Sequence, residues 1–414
     1  MLPVRADWVR SGGALRGYPR RMDRPRFAEQ RLPSGADVVV IGGGIIGCAA
    51  AAIMADRGAQ VTLVEGTAIG AGASGRNLGA VQHPFDAVLA ELYLESLTRY
   101  RALAEDAGAG FTLGASPAGL LLLNRDANAA ERQARRMADV FPELLPELLT
   151  ADEVHALEPS LARGPAAVRL ATGYPIPPAS ATAAWAALAH ARGAMIVVGS
   201  AAQPTIRDGR ATGVALEDGT TIGAGAVLVA AGPWSPGLVD PSGTWQPIRS
   251  TWGVTLQLRL DGDAPRHIVE EDEVDSLNRS AAATARAAEA PDPDADPPSL
   301  FSLASAGGIS TLGSTFLPEE PDATRMQSVL LRRGADFLPA VGRAEIVGRR
   351  VCARPQSVDG RPFIGRVGLG DGLFVCAGHG PWGISTGPAS AAIVARAILD
   401  GSPPPPELDA GRPF

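Results

Sequence analysis

Apolar positions along this chain change period several times, and each change marks an element. Asp37 to Ile41 is a short β-branched run without polar alternation, which predicts a strand buried on both faces of a parallel sheet. The alanine-rich stretch Cys48 to Arg57 predicts a helix that stops at Gly58, a residue suited to the left-handed position after a helix end. A second apolar run, Gln60 to Val64, predicts the next strand. From Asp86 to about Leu157 the spacing becomes helical, through Leu89, Leu92, Leu97 and Tyr100 and then the amphipathic segment Ala129 to Leu149. Gly173 to Ser200 reads as an extended Gly-Tyr-Pro-Ile-Pro-Pro segment, a helix from Ala181 to Arg192 and a strand at Met195 to Val198. A hairpin from Ala202 to Asp218 follows, with turns at Asp208-Gly209 and Asp218-Gly219, and then a very apolar strand, Ala226 to Ala230. Further strands are predicted within Pro247 to Leu260 and Ser299 to Thr315 and at Leu373 to Ala377, before a helix from about Pro388 to Leu399. Ser280 to Pro298, rich in Ala, Asp and Pro, predicts a flexible surface insertion, and the proline run after Gly401 a terminus.

Between the first strand and helix stand Gly42, Gly44 and Gly47, in the GxGxxG order. Gly42 permits the tight turn, Gly44 lets backbone N–H groups approach a pyrophosphate, and Gly47 lets helix and strand pack closely. Glu65 ends the second strand about 20 residues on, where a carboxylate can hold ribose hydroxyls. With strand, helix, second strand and terminal Glu in place, the arrangement predicts a dinucleotide site rather than a structural glycine loop. The loop Gly70 to Ala80 would bring Ser74 and backbone amides to the pyrophosphate while Arg76 and Asn77 project toward the ring; alone it reads equally as a flexible glycine loop. A second glycine-rich turn follows Ala377 but lacks the GxGxxG form, which suits the far end of one long cofactor better than a second nucleotide. The helix N-terminus there is partly positive and can stabilise charge gathered on a reduced flavin.

With 414 residues, 46% of them hydrophobic and 20% charged, the chain has room for two domains. A formal net charge of −7 argues against a nucleic-acid surface, and no apolar run approaches the length that spans a bilayer, so a soluble chain is expected. The arginine-rich beginning, which includes Arg20-Arg21, has no apolar stretch after it and reads as a polar arm. Cys48, Cys352 and Cys376 suggest no disulfide framework and point to a reducing cytoplasm, with Cys48 and Cys376 as small core residues. All 37 basic residues are arginine, which excludes a P-loop lysine and a Schiff-base lysine. His83, His155, His190 and His267 belong to no ligand pattern, and no metal site is expected.

The chain resembles the D-amino-acid oxidase family of FAD-dependent oxidoreductases, with its glycine oxidase, sarcosine oxidase and D-amino-acid dehydrogenase branches. The matching pieces, in the family's order, are VVVIGGGIIG with Glu65, ASGRNLG at Ala73 to Gly79, VLVAAGPWS at Val227 to Ser235, RPQSVDGRPFIG at Arg354 to Gly365 and AGHGPWGISTGPAS at Ala377 to Ser390. The resemblance implies an α/β (α+β) fold: a doubly wound Rossmann-type FAD-binding domain with an inserted antiparallel-sheet substrate domain. It divides the chain into an arm (1–35), an FAD domain (36–90, 158–240 and 345–402) and a substrate domain (91–157 and 241–344) carrying the insertion 280–298. It implies that Gly42, Gly44, Gly47, Glu65, Ser74 and Val198 hold the ADP half of FAD, and that Trp234, Gly378, Gly383, Ile384 and Ser385 lie near the flavin.

The implied activity is hydride transfer from the α-carbon of a small amine or amino acid to flavin N5, giving an imine that hydrolyses. The protein then supplies orientation and charge, and Arg354 is the implied anchor for the substrate carboxylate. The structural alternative is that Arg354 pairs with Asp359 or with a sheet-edge carbonyl. His379 is a candidate to donate to the flavin or tune the amine, or is a packed loop histidine. Two departures from the family stand out. Thr311 occupies the place where some sarcosine oxidases carry a lysine that assists reaction with oxygen; glycine and D-amino-acid oxidases manage without it, so its absence weakens an oxidase assignment without excluding it and leaves oxygen or another electron acceptor open. Cys352, seven residues before Asp359, has the spacing of the cysteine that bonds covalently to flavin in monomeric sarcosine oxidase. Within the superfamily, a 2-hydroxy-acid dehydrogenase or a flavin-bearing subunit of a larger complex is the alternative. Nothing in the sequence decides whether copies assemble into a homo-oligomer.

Overall fold

The computed structural model describes residues 33–272, 299–368 and 370–414. The arginine-rich beginning up to residue 32 and the insertion at 280–298 lie outside the described residues. Two eight-stranded sheets organise the rest.

In the first sheet the spatial order is Phe363–Arg366, Leu373–Ala377, Thr221–Val229, Gly35–Ile41, Val61–Glu65 and Met195–Val198, with the hairpin Ala202–Arg207 and Arg210–Leu216 joined to Thr221–Val229. The central pairings are parallel. Residues 38–41 of the central strand are buried on both faces as expected: Val38 and Val40 pack into one apolar cluster and Val39 and Ile41 into another. The first helix, Ile45–Asp56, ends before Gly58, whose φ is +87°. Its alanine face lets it pack closely against Ser180–Ala191 and the C-terminal helix Gly383–Asp400. The predicted hairpin forms, with both turn residues Asp208 (φ +50°) and Gly209 (φ +72°) left-handed.

In the second sheet the order is Glu345–Ser357, Ile248–Arg259, Ile309–Thr315, Ser299–Ala306, Ile268–Glu271, Leu120–Asn124, Ala166–Leu170 and Glu147–Leu149. One face is apolar: Val254, Leu256, Phe301, Leu303, Leu312, Val269 and Leu121 pack under Met326, Leu330 and Phe337 of the helix Ala323–Phe337. Strand alternation sends small and polar residues to the opposite face, among them Gly253, Thr255, Gly313, Ser302, Glu270, Cys352 and Arg354. That face meets the first domain, where Thr255 Oγ1 donates to the Arg76 carbonyl at 3.5 Å.

Sheet membership corrects the expected division. Strand Glu345–Ser357 pairs along its length with Ile248–Arg259 and belongs to the second sheet, as does Ala166–Leu170. Helix Ala87–Glu105 buries Leu92, Tyr93, Leu97 and Tyr100 in the core under the first sheet. Three element predictions also change. The amphipathic helix ends at Val140, because Pro142 and Pro146 cannot continue it, and Glu147–Leu149 becomes an edge strand. Leu120–Asn124, read as part of a helical stretch, is a strand, since four successive leucines carry no period. The C-terminal helix starts at Gly383 and contains Pro388, which the sequence suggested as its beginning.

Candidate active site

The glycine loop follows from its contacts. Gly42 has φ +115°, and a Cβ there would lie 2.5 Å from the Ala230 carbonyl oxygen. Gly44 caps the first helix without a side-chain partner, no acidic residue occupies the first turn, and the Ile45 N–H donates to Ser74 Oγ at 3.0 Å. Glu65 Oε2 accepts from the Gly43 N–H at 2.7 Å, while Oε1 accepts from Thr67 N at 2.8 Å and Thr67 Oγ1 at 2.9 Å. Val198 pairs with Glu65 on the edge strand and is 41% exposed. A turn with no room for a Cβ at Gly42 or Gly47, a helix N-terminus free of acidic residues and an adjacent carboxylate suit the pyrophosphate and ribose of FAD.

The loop after Glu65 separates its two expected ring-facing residues. Asn77 turns inward: its amide donates to the Ser74 carbonyl at 2.8 Å and accepts from the Gly79 N–H at 2.8 Å, capping the one-turn helix Ala73–Arg76. Arg76 crosses to the second sheet and donates to the Val351 carbonyl at 2.8 Å. Trp234 is half-exposed, and its ring stands 3.9 Å from where a Cβ on Gly72 would be.

At the second glycine-rich turn, Gly378 (φ +94°) and Gly380 (φ +53°) let the chain double back, and His379 forms a backbone bridge with Gln356. His379 is 1% exposed, and neither ring nitrogen has a hydrogen-bond partner among the described residues. Burial pushes its pKa down to about 3, so the imidazole is neutral. Gly383 opens the C-terminal helix, whose first turn has neither a side-chain cap nor an acidic residue. The Ile384 carbonyl accepts from the Tyr100 hydroxyl at 2.7 Å, and Ser385 Oγ accepts from the Gln82 N–H at 3.0 Å.

Arg354 lies on the face turned toward these motifs. Its Nη1 donates to the Thr315 carbonyl at 2.9 Å, its Nη2 to Ser314 Oγ, and its Cζ stands 4.9 Å from the Phe316 ring centre. Burial pulls its pKa below the ordinary arginine value, yet a guanidinium stays charged. The alternative pairing with Asp359 does not form: Asp359 accepts from Arg412 at 2.9 and 3.1 Å, fastening the C-terminal segment. The sheet-carbonyl contact does form, but no carboxylate among the described residues neutralises Arg354. Cys352, two residues earlier on the same face, has its Sγ 4.0 Å from the Arg76 carbonyl oxygen. Burial raises its thiol pKa, against the pull of Arg354, Arg76 and Arg350. Cys48 and Cys376 are buried core thiols pushed well up by burial.

The structure brings in residues the sequence did not single out. Gln82 and Glu270, both buried, join the two domains, with Gln82 Nε2 at 3.2 Å from each carboxylate oxygen. The one signal was a charged pair, Glu270-Glu271, in an apolar strand. Gly253, inside a strand, was a legible sign of close approach. No helix among the described residues is long and apolar enough to cross a membrane.

A family model described as FAD dependent oxidoreductase (DAO) matches residues 37–397. Glycine oxidase of Geobacillus kaustophilus is 29% identical over 382 residues, covering 87% of this chain and 92% of that protein. The tRNA 5-methylaminomethyl-2-thiouridine biosynthesis bifunctional protein MnmC of Chromohalobacter salexigens is 27% identical over 438 residues, covering 92% of this chain. This chain spans 56% of that relative's length. The crystal structure of glycine oxidase from Geobacillus kaustophilus shares the fold, with a TM-score of 0.75 at 23% identity over 92% of this chain and 100% of that one. Iminodiacetate oxidase from Chelativorans sp. BNC1 matches with a TM-score of 0.73 at 25% identity over 90% and 98%.

Proposed function

The chain belongs to the DAO family of FAD-dependent oxidoreductases, and from that premise we propose that it oxidises a small amine or amino acid bearing a carboxylate. The observation that carries the reading is Arg354, a desolvated cation without a carboxylate partner among the described residues, on the sheet face turned toward the glycine-rich motifs. Two of its N–H groups are held by Ser314 and Thr315, which aims the remaining edge as a donor fork for a carboxylate. Bound FAD supplies the two-electron acceptor for the substrate's α-C–H bond. Gly42, Gly44, Gly47, Glu65, Ser74 and Val198 hold its ADP half in this reading, and Trp234, Gly378, Gly383, Ile384 and Ser385 its flavin end. His379, neutral and without a hydrogen-bond partner among the described residues, offers one nitrogen as donor and one as acceptor on the turn that bridges to Gln356.

Cys352 belongs to the same proposal. Burial raises its thiol pKa against the pull of three guanidinium groups, and acid precipitation tests a thioether to the flavin: flavin left wholly in the supernatant rules it out. Lack of lysine, with buried Thr311 on the flavin-facing side, supports an acceptor other than oxygen. The deciding experiment is an anaerobic titration of the purified holoprotein against amines, D-amino acids and 2-hydroxy acids. Bleaching of the flavin band by amino acids is expected, and bleaching by hydroxy acids alone overturns the reading.

A further inference from the structure

We propose that Gln82 presents its side-chain carbonyl oxygen to the amino group of the substrate, with Glu270 as the positioning residue that aims it. The inference rests on the amino-acid reading above. Gln82 is 5% exposed and follows the short strand Ala80–Val81. Its main-chain N–H is pinned to Ser385 Oγ in the first turn of the C-terminal helix. Its Nε2 faces both oxygens of Glu270 at 3.2 Å. An ionised carboxylate only accepts, so the amide must turn its NH₂ group to Glu270 and its oxygen away. That oxygen is buried and has no hydrogen-bond partner among the described residues. A buried acceptor without a donor is unfavourable, and an N–H brought by a ligand relieves it.

The position fits. Glu270 pairs with Ser302, and Ser302 with Gly313, next to the Ser314 that accepts from Arg354. Ser302 Oγ would stand 3.1 Å from a Cβ on Gly313, which shows that the two share a face. Two strand spacings, about 10 Å, separate the strand of Glu270 from the strand whose Ser314 and Thr315 accept from Arg354, and the guanidinium itself lies over Gly253, one strand further. Gln82, held on Glu270, and Arg354 therefore stand on the same face of this sheet. Arg354 selects the carboxylate, and Gln82 selects a group that carries an N–H.

The test compares two ligands on wild-type, Gln82→Leu and Glu270→Gln holoenzymes. One is an amino acid that bleaches the wild-type flavin; the other is the carboxylic acid of the same skeleton without nitrogen, whose binding is read from the shift of the flavin absorption band. Gln82→Leu should weaken amino-acid binding about tenfold and leave the nitrogen-free acid unchanged. Glu270→Gln, which frees the amide to turn over, should show the same selectivity of loss to a smaller degree, and it carries the test if Gln82→Leu fails to hold FAD. Equal weakening of both ligands, or of neither, overturns the proposal while leaving the amino-acid reading intact. A wild-type flavin that shifts with the acid but is bleached by no amine overturns both.

Discussion

The guanidinium of Arg354 lies directly over Gly253: a Cβ added to Gly253 would stand 2.5 Å from Cζ and 2.6 Å from Nη1. Arg354 starts on one strand, passes over the neighbouring strand at Gly253, and reaches Ser314 and Thr315 on the strand beyond. Only glycine lets it cross at that height. Gly253→Ala should displace the guanidinium and raise KM for a carboxylate substrate on the order of tenfold to a hundredfold, with FAD content and Tm near wild type. Arg354→Ala should cost about 3 kcal/mol or more in kcat/KM, and Arg354→Lys should recover only part, since an ammonium lacks the two-pronged contact. Comparing each acid with its amide checks the assignment. If wild type and variants discriminate equally between them, Arg354 is not the anchor.

Pro388 inside the C-terminal helix has no N–H for the Ile384 carbonyl four residues earlier, and the Tyr100 hydroxyl takes that place. The next residue is treated likewise, since the Ala389 N–H donates to Ser96 Oγ at 3.0 Å. Tyr100 is fully buried, so Tyr100→Phe leaves a carbonyl without a donor and should destabilise the protein by about 1–3 kcal/mol. Calorimetry reads the loss as a lower Tm. An unchanged Tm would mean that the helix repairs the gap by itself.

These two relationships show what a sequence carries and what it does not. The first strand, the glycine turn and Glu65 are local and periodic, and they were legible. So were the Asp208-Gly209 hairpin and the C′ role of Gly58. The start of the C-terminal helix was not, because Pro388 reads locally as a first helical residue, while Tyr100, almost three hundred residues away in sequence, takes up the carbonyl it leaves unbonded inside the helix. The Leu120 strand carried no period, since a strand covered on both faces needs no polar alternation. The motif singled out Arg354 but nothing in the sequence singled out Gln82 and Glu270, because their hydrogen bond joins segments 188 residues apart.

Acid should weaken the fold through His379. Its folded pKa of about 3 lies below the ordinary 6.5, so between those values the unfolded chain holds a proton that the folded protein does not. Stability therefore rises with pH across that window and is lost on acidification. Burial lowers His83 as well, with the same sign. His379→Gln should flatten part of the fall in Tm between pH 6.5 and 4. Parallel curves for wild type and variant would show that His379 takes up its proton in the folded protein as it does in the unfolded chain.

Glu65 does two things at once, and they can be separated. One carboxylate oxygen orders the glycine loop through the Gly43 N–H, and the other orders the next turn through Thr67. In the FAD reading the same group also faces the ribose hydroxyls, beside the exposed Val198. Glu65→Gln keeps one acceptor for the loop but removes the charge that strengthens each hydrogen bond, and should weaken FAD binding about tenfold or more. Glu65→Arg places a cation against backbone donors and should yield protein without FAD. The ratio of flavin to protein absorbance after purification reads both variants, and the far-ultraviolet circular dichroism of each shows whether the sheet survives. A Glu65→Arg variant that retains stoichiometric FAD would remove Glu65 from the site. Stoichiometric binding of NADPH by the wild type would do the same, because a carboxylate at this place repels a 2′-phosphate.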